Sequence, residues 1–430
     1  MTPQSTFMVI APIRPGRVDE LRALLATMNV QPGIADPNNA LAPFGRFDRL
    51  HVARFVVLDD LTLDDMPDDR RPSDRLPLYL AFLGDCDGPE EAMLAAFARE
   101  AATGLRRIFS FCEGFDQNTP LLDWMRKQSV SPAVAYVNWV GRTVRQIREE
   151  AALHTALGKH LRAIAPISGM DGPQAIRDRL IEAVKRDRPP LSDPEPTPFG
   201  WHIGHIIDAA ATPLALIALT PILLLYLPLY LWILRRREKT DAVVAPRPDP
   251  AHVRSLAIRE DHDVSNSFSA IGSVKPGAFR LWTLRFAFWV VGYSTRHIFT
   301  RGKLARVGTI HFARWVFLDD RRRLFFGSNY DGSLDSYMDD FINKVAYGLN
   351  LVFSNGIGYP RTDFLINNGA KDEEVFKAYI RRHQVPTDVW YKAYPGLTTF
   401  DLARNTRIRD GLTGERMSDD ETRQWLALIQ

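Results

Sequence analysis

A ten-residue stretch occurs twice in this chain. His51-Val52-Ala53-Arg54-Phe55-Val56-Val57-Leu58-Asp59-Asp60 returns as His311-Phe312-Ala313-Arg314-Trp315-Val316-Phe317-Leu318-Asp319-Asp320, with seven of the ten positions identical and three exchanging apolar residues. An internal repeat constrains the fold more than any single element does, because one architecture must serve both copies.

In copy one, Phe7–Ile13 reads as a strand and Arg14-Pro15-Gly16 as a turn. Val18, Leu21, Leu24 and Leu25 follow at helical spacing. His51–Leu58 is a second strand, rich in β-branched and aromatic residues. Residues 59–77 are an acidic loop, and Leu78–Leu83 a third strand. Asp87-Gly88-Pro89 opens a helix, with Asp87 as its cap and Met93, Phe97, Ala101 and Leu105 as its buried stripe. Ile108–Phe111 reads as a fourth strand. The order strand–helix–strand–strand–helix–strand is the ferredoxin-like unit. Copy two keeps it, at offsets of 261 for the first strand, 260 for the second and 244 from Asp331 onward. The change falls in the 59–77 loop, as insertions usually do.

The expected fold class is therefore α+β: two ferredoxin-like βαββαβ repeats in a fused pseudo-dimer, plus a membrane-anchoring apolar segment. The divisions are repeat one (1–120), a helical connector (121–186), a Pro-rich linker and pre-membrane segment (187–208), the apolar segment (209–234), a basic and polar linker (235–264), repeat two (265–360) and a helical and loop extension (361–430). Charge argues against nucleic acid as partner, since net charge is only +3 and the basic residues are scattered among acids. Cys86 and Cys112 make neither a disulfide framework nor a zinc-finger spacing.

Residues 209–234 carry no charge and are closed by Arg235-Arg236-Arg237. That length suits a bilayer, and the Arg cluster suits the cytoplasmic side. A single crossing would put the two repeats on opposite sides, where they could not pack together. Pro213, Pro221 and Pro228 interrupt helical bonding, so a monotopic or re-entrant anchor is expected, with both repeats cytoplasmic. Residues Phe279–Phe299 carry extra aromatics, which either rest on the membrane surface or fill a more buried helix.

The element order and the repeat resemble the dimeric α+β-barrel superfamily across about residues 7–115 and 268–359. Its members include dye-decolourising peroxidases and chlorite dismutases, which bind haem. Gly84-Asp85-Cys86-Asp87-Gly88 matches the G-x-x-D-G pattern of the former, which would make Asp87 a distal acid; the helix-cap reading competes with it. Together with the apolar segment, the resemblance implies a membrane-associated, haem-dependent, peroxidase-like oxidoreductase acting on a small apolar or lipid molecule. The alternative is a non-catalytic membrane-surface protein binding lipid or a protein partner in the groove between repeats. A homo-oligomer is compatible with both.

Candidate catalytic residues are His51, Arg54, Asp87, His311 and Arg314. Candidate haem-binding residues are His297, His311 and Arg314, and no dedicated metal site is expected. Strand alternation places His51 and Arg54 on opposite faces. A buried Arg needs a carboxylate, and Asp60 and Asp320 have the right parity to be partners. His202 and His205 share a helix face, either as ligands or as interfacial polar residues; His383 stands alone.

Overall fold

The structure, a computed structural model, describes residues 1–63, 76–116, 118–164, 172–244, 246–300, 302, 304, 307–413 and 417–430. Most of the expected 59–77 loop lies outside the described residues. The fold is α+β. Strand β1 (Gln4–Pro12), helix α1 (Val18–Ala26), β2 (Leu50–Leu58) and β3 (Tyr79–Asp87) come first, then α2 (Glu90–Glu100), α3 (Ala102–Phe109) and α4 (Leu121–Lys127). Strand β4 (Val134–Val137) leads into α5 (Val144–Ile164), α6 (Pro173–Asp187), the long α7 (Phe199–Thr240) and α8 (Pro250–Ala257). Next come β5 (Ser265–Ser273), α9 (Ala278–Tyr293), β6 (Ile310–Leu318), β7 (Arg323–Asp331) and α10 (Leu334–Phe353). Helix α11 (Glu373–His383), β8 (Thr387–Lys392), α12 (Thr399–Thr413) and α13 (Asp419–Ile429) complete the chain.

Two four-stranded antiparallel sheets result, in the orders β1-β3-β2-β8 and β5-β7-β6-β4. Each fourth strand arrives from beyond the other sheet's three. Segment 128–130 first runs along β1, with Ile10 N donating to Gln128 O and Val130 N to Met8 O. The chain then crosses to pair as β4 with β6, Tyr136 opposite Ala313. After α11, Val385 N donates to Ser269 O, and β8 crosses to pair with β2, Tyr391 opposite Ala53. The expectation of a strand at Ile108–Phe111 is corrected. Leu105, Ile108 and Phe109 are buried on one face of α3, a helical spacing rather than alternation.

Alternation sorts the side chains of each strand. Phe7, Val9 and Ala11 face the helices of sheet one. Met8, Ile10, Val56, Leu58, Ala81 and Leu83 face the other sheet and meet Ile271, Val316, Leu318 and Phe325. The two sheets therefore pack on each other through a filled apolar layer, where the sequence predicts an open groove. Helices α5, α6, α12 and α13 form a separate apolar cluster around Leu153, Leu180, Ile408 and Trp425.

Helix α7 is long and apolar enough to cross a membrane. It runs as one helix with all three prolines inside it, so the re-entrant hairpin is corrected. Both of its ends meet α9 or the turn that follows it. Near its start, Asp208 accepts from Arg296 Nε (2.9 Å) and His297 Nε2 (2.7 Å), and Tyr293 OH donates to Ala209 O (3.2 Å). Near its end, Tyr230 OH donates to Thr283 Oγ1 (3.3 Å) and its ring stacks on Phe279, while Glu238 accepts from Thr362 Oγ1 and from Phe364 N and Leu365 N. Helix α9 in turn buries Leu284 and Phe288 against Phe317 and Leu324 of sheet two. Helix α7 is thus an outermost layer. Residues 217–229 are exposed all round it. Of the α9 aromatics, Trp282 and Phe286 are exposed and Phe288 is buried, so the expectation of a more buried helix holds for only part of it.

Candidate functional site

Strands β2 and β6 each begin with a register shift, between Leu50 and Val52 and between Ile310 and Phe312. A bulge adds one residue and breaks the alternation. His51 is therefore turned to the inter-sheet side, its ring 5.2 Å from that of Phe312. The expectation that His51 and Arg54 point to opposite faces is corrected by this bulge.

Each histidine pairs with the carboxylate that ends the neighbouring strand. His51 Nε2 donates to Asp87 Oδ1 (2.9 Å), and His311 Nε2 to Asp331 Oδ1 (2.7 Å). The second oxygen of each carboxylate accepts from the first amide of a helix: Asp87 Oδ2 from Val144 N of α5, Asp331 Oδ2 from Thr399 N of α12. An anion there satisfies an orphan donor and complements the helix dipole. Asp87 does cap a helix, but a different one from that predicted. Helix α2 starts behind Pro89 with no side-chain cap.

Tyr394 lies between the two pairs. Its hydroxyl reaches His51 Nδ1 at 3.2 Å, and its ring centroid is 5.8 Å from that of His51 and 6.1 Å from that of His311. The second pair has more polar company than the first. Lys392 Nζ donates to Ser265 Oγ (2.6 Å), which donates to Asp331 Oδ1 (2.6 Å). At the matching register, the first pair has Val137 of β4 and Gln4 of β1. Burial holds the His311 imidazole and the Lys392 ammonium below their ordinary values. Burial alone would raise Asp331, but His311, Ser265 and the Thr399 amide outweigh it and hold the carboxyl at about 2.

A folded value below the unfolded one means that Asp331 stabilises the fold above pH 4 and loses that contribution as pH falls through about 2. The contribution is about 2 kcal/mol. In Asp331→Asn this acid limb flattens when stability is followed by urea denaturation from pH 5 down to pH 2. An unchanged limb would contradict the assignment.

The two arginines are reciprocal clamps. Arg54 donates through NH1 to Phe268 O (2.7 Å) and through NH2 to Ser328 O (3.2 Å) and Asn329 Oδ1 (2.7 Å). Arg314 donates through NH1 to Phe7 O (2.9 Å) and through NH2 to Gly84 O (3.2 Å) and Asp85 Oδ2 (2.5 Å). Each guanidinium reaches across the interface to the opposite sheet. Asp60 is not the partner of Arg54; its carboxylate accepts from Thr62. Burial, followed by the like charge of Arg314, brings Arg54 down to about 9.

The cavity bordered by His51, His311, Phe312 and Tyr394 is small, about 20 Å³. That is room for one water-sized molecule, against roughly 300 Å³ or more for a small-molecule or cofactor site. Both Nε2 atoms are committed to carboxylates, and His51 Nδ1 to Tyr394. These residues do not fit a haem. Arg54 and Arg314 are committed to the opposite sheet. His297, the other expected iron ligand, sits in a different cluster, with Nε2 on Asp208 and its ring 4.4 Å from that of His205. His202 is exposed, and His383 is buried with Nδ1 donating to Tyr379 O (2.8 Å). Among the described residues no group of three or more His, Cys, Asp or Glu is placed to hold a metal ion.

Lys392, Ser265 and Tyr394 join this network and are not among the site residues that the sequence suggests. The available signal was the Val-x-Tyr shared by Val134-Ala135-Tyr136 and Val389-Trp390-Tyr391, which marks the two crossing strands. Compared with known proteins, the chain matches no family model, no curated protein and no solved structure.

Proposed function

We propose that this chain is a monotopic membrane-surface protein that takes up a lipid or other small apolar molecule, with no oxidative reaction at its histidines. Its scaffold is then a pair of fused ferredoxin-like units of the dimeric α+β-barrel type, each lending its last strand to the other. The matching registers, bulges, His–Asp pairs and arginine clamps support that duplication. The histidine network serves structure: it ties the starts of α5 and α12 to the strand ends.

The observation that carries the membrane reading is α7. It exposes an uninterrupted apolar surface from Ile217 to Leu229, while both of its ends are held to the same side of the protein. A helix lying in the interface buries the outward side of such a surface without crossing. Trp282 and Phe286 extend the apolar face, and Arg236 and Arg237 at its edge are exposed toward anionic head groups. The Arg cluster supports a cytoplasmic placement of the body.

The test is flotation of the full chain with phosphatidylcholine vesicles containing phosphatidylserine. The wild type is expected to float. Replacing Ile217, Leu224 and Leu225 together by Glu removes about 5 kcal/mol of apolar burial, more than a thousandfold in partition, and should leave the protein at the bottom of the gradient. Equal flotation of the triple variant would refute the reading.

A further inference from the structure

The inter-sheet space is filled, but an apolar cavity of about 240 Å³ lies on the other face of sheet two, between α9 and α10. Val290, Val291, Trp315, Val345 and Gly348 are among the residues that border it. Both helices depart from regular geometry at this place. Helix α9 runs into a π-type turn, Ser294–Ile298, whose Ser294 and Thr295 line the cavity. Helix α10 breaks at Val345, where φ is −142° and ψ is 27°. π-type turns are frequent at functional sites.

Trp315 Nε1 is buried and has no hydrogen-bond partner among the described residues. A buried donor without an acceptor is costly, and the ring that carries it lines the cavity. The matching position of sheet one is Phe55, which stacks on Phe82 (centroids 4.5 Å) in a filled core. The duplicate thus has neither the donor nor the space. The cavity also continues the membrane face. Trp282, Phe286 and Val290 follow one another at four-residue spacing along α9; the first two are exposed, at 61% and 46%, and the third lines the cavity.

We propose that this cavity holds a medium-length acyl chain lying against the Trp315 ring. An engineered apolar cavity of about 150 Å³ holds benzene, so this volume suits roughly ten heavy atoms. The inference rests on the membrane-surface reading, since the stripe on α9 is the route by which a chain enters from the bilayer. The chain belongs either to a free fatty acid or to a phospholipid.

The experiment uses the full-length protein in phosphatidylcholine nanodiscs and reads tryptophan fluorescence. One arm adds free 10-bromodecanoic acid; the other uses a phosphatidylcholine brominated on its acyl chain. Bromine quenches a tryptophan that it touches. Gly348→Phe fills the cavity, and a Cβ at Gly348 meets nothing within 4 Å, so the backbone accepts it. Trp315→Phe removes the reporting ring and introduces the residue that sheet one carries. The expected result is saturable quenching in one arm, weakened at least tenfold in Gly348→Phe and reduced in Trp315→Phe to the non-saturable quenching of membrane-facing tryptophans such as Trp282. The arm that shows it names the source. Quenching indifferent to both substitutions, or none in either arm, overturns the proposal. Gly348→Phe should still float with vesicles, so failure of the wild type to float sinks the membrane reading separately.

Discussion

Arg314→Leu is expected to destabilise the protein by about 3–5 kcal/mol, and Arg54→Leu by clearly less. Both side chains are almost wholly buried and both bridge the sheets. They differ in what they leave behind. Loss of Arg314 strands the Asp85 carboxylate, whose side chain is only 4% exposed. Loss of Arg54 strands only neutral acceptors, the Asn329 amide, the Ser269 hydroxyl and two backbone carbonyls, and leaves no unpaired charge in the interior. It also removes a like charge from beside Arg314. The double variant Arg314→Leu/Asp85→Leu should recover part of the loss, because replacing both members of a buried pair costs far less than breaking it. Guanidinium denaturation of the three variants checks this. An Arg54→Leu as damaging as Arg314→Leu would contradict the assignment of Asp85 as the charged partner.

The repeated strands were legible because each carries a long unbroken signal. His51–Leu58 and His311–Leu318 are rich in β-branched and aromatic residues, and the structure places β2 and β6 there. The side-chain faces were legible only from Val52 onward. One inserted residue at His51 reverses parity, and a bulge leaves no compositional mark in a run of apolar residues. The crossing strands were not legible as such. Val134–Val137 has four residues and pairs with a strand more than 170 positions away in sequence; local pattern cannot name a partner set by the opposite copy. Ile108–Phe111 drew a strand reading because a short apolar run is ambiguous between strand and helix, and the stripe beginning at Leu105 settles it as helix.

The site divides in the same way. Pairing the repeats marks His51 with His311 and Arg54 with Arg314, and the structure shows each pair as a matched set of contacts. What each touches was hidden. Arg54 was matched to Asp60 by parity along its own strand, whereas its contacts lie on β5 and β7. Asp87 was read against the helix that follows it at once, whereas its carboxylate serves α5, more than fifty residues on. Burial by a distant segment decides both cases, and the cavity beside Trp315 depends on the same kind of long-range packing between α9 and α10.

In the proposed arrangement α7 lies along the membrane without crossing it. His202 and Lys239, near its two ends, are both exposed, and the helix between them is about 55 Å long, ample to cross a hydrocarbon core of about 30 Å. The native Cys86 and Cys112 are fully buried, so His202→Cys and Lys239→Cys can each be read with a membrane-impermeant maleimide in sealed vesicles of a single orientation. Both positions should label together, or both stay protected until detergent is added. Labelling at one end with protection at the other would place the two ends on opposite sides and contradict the account.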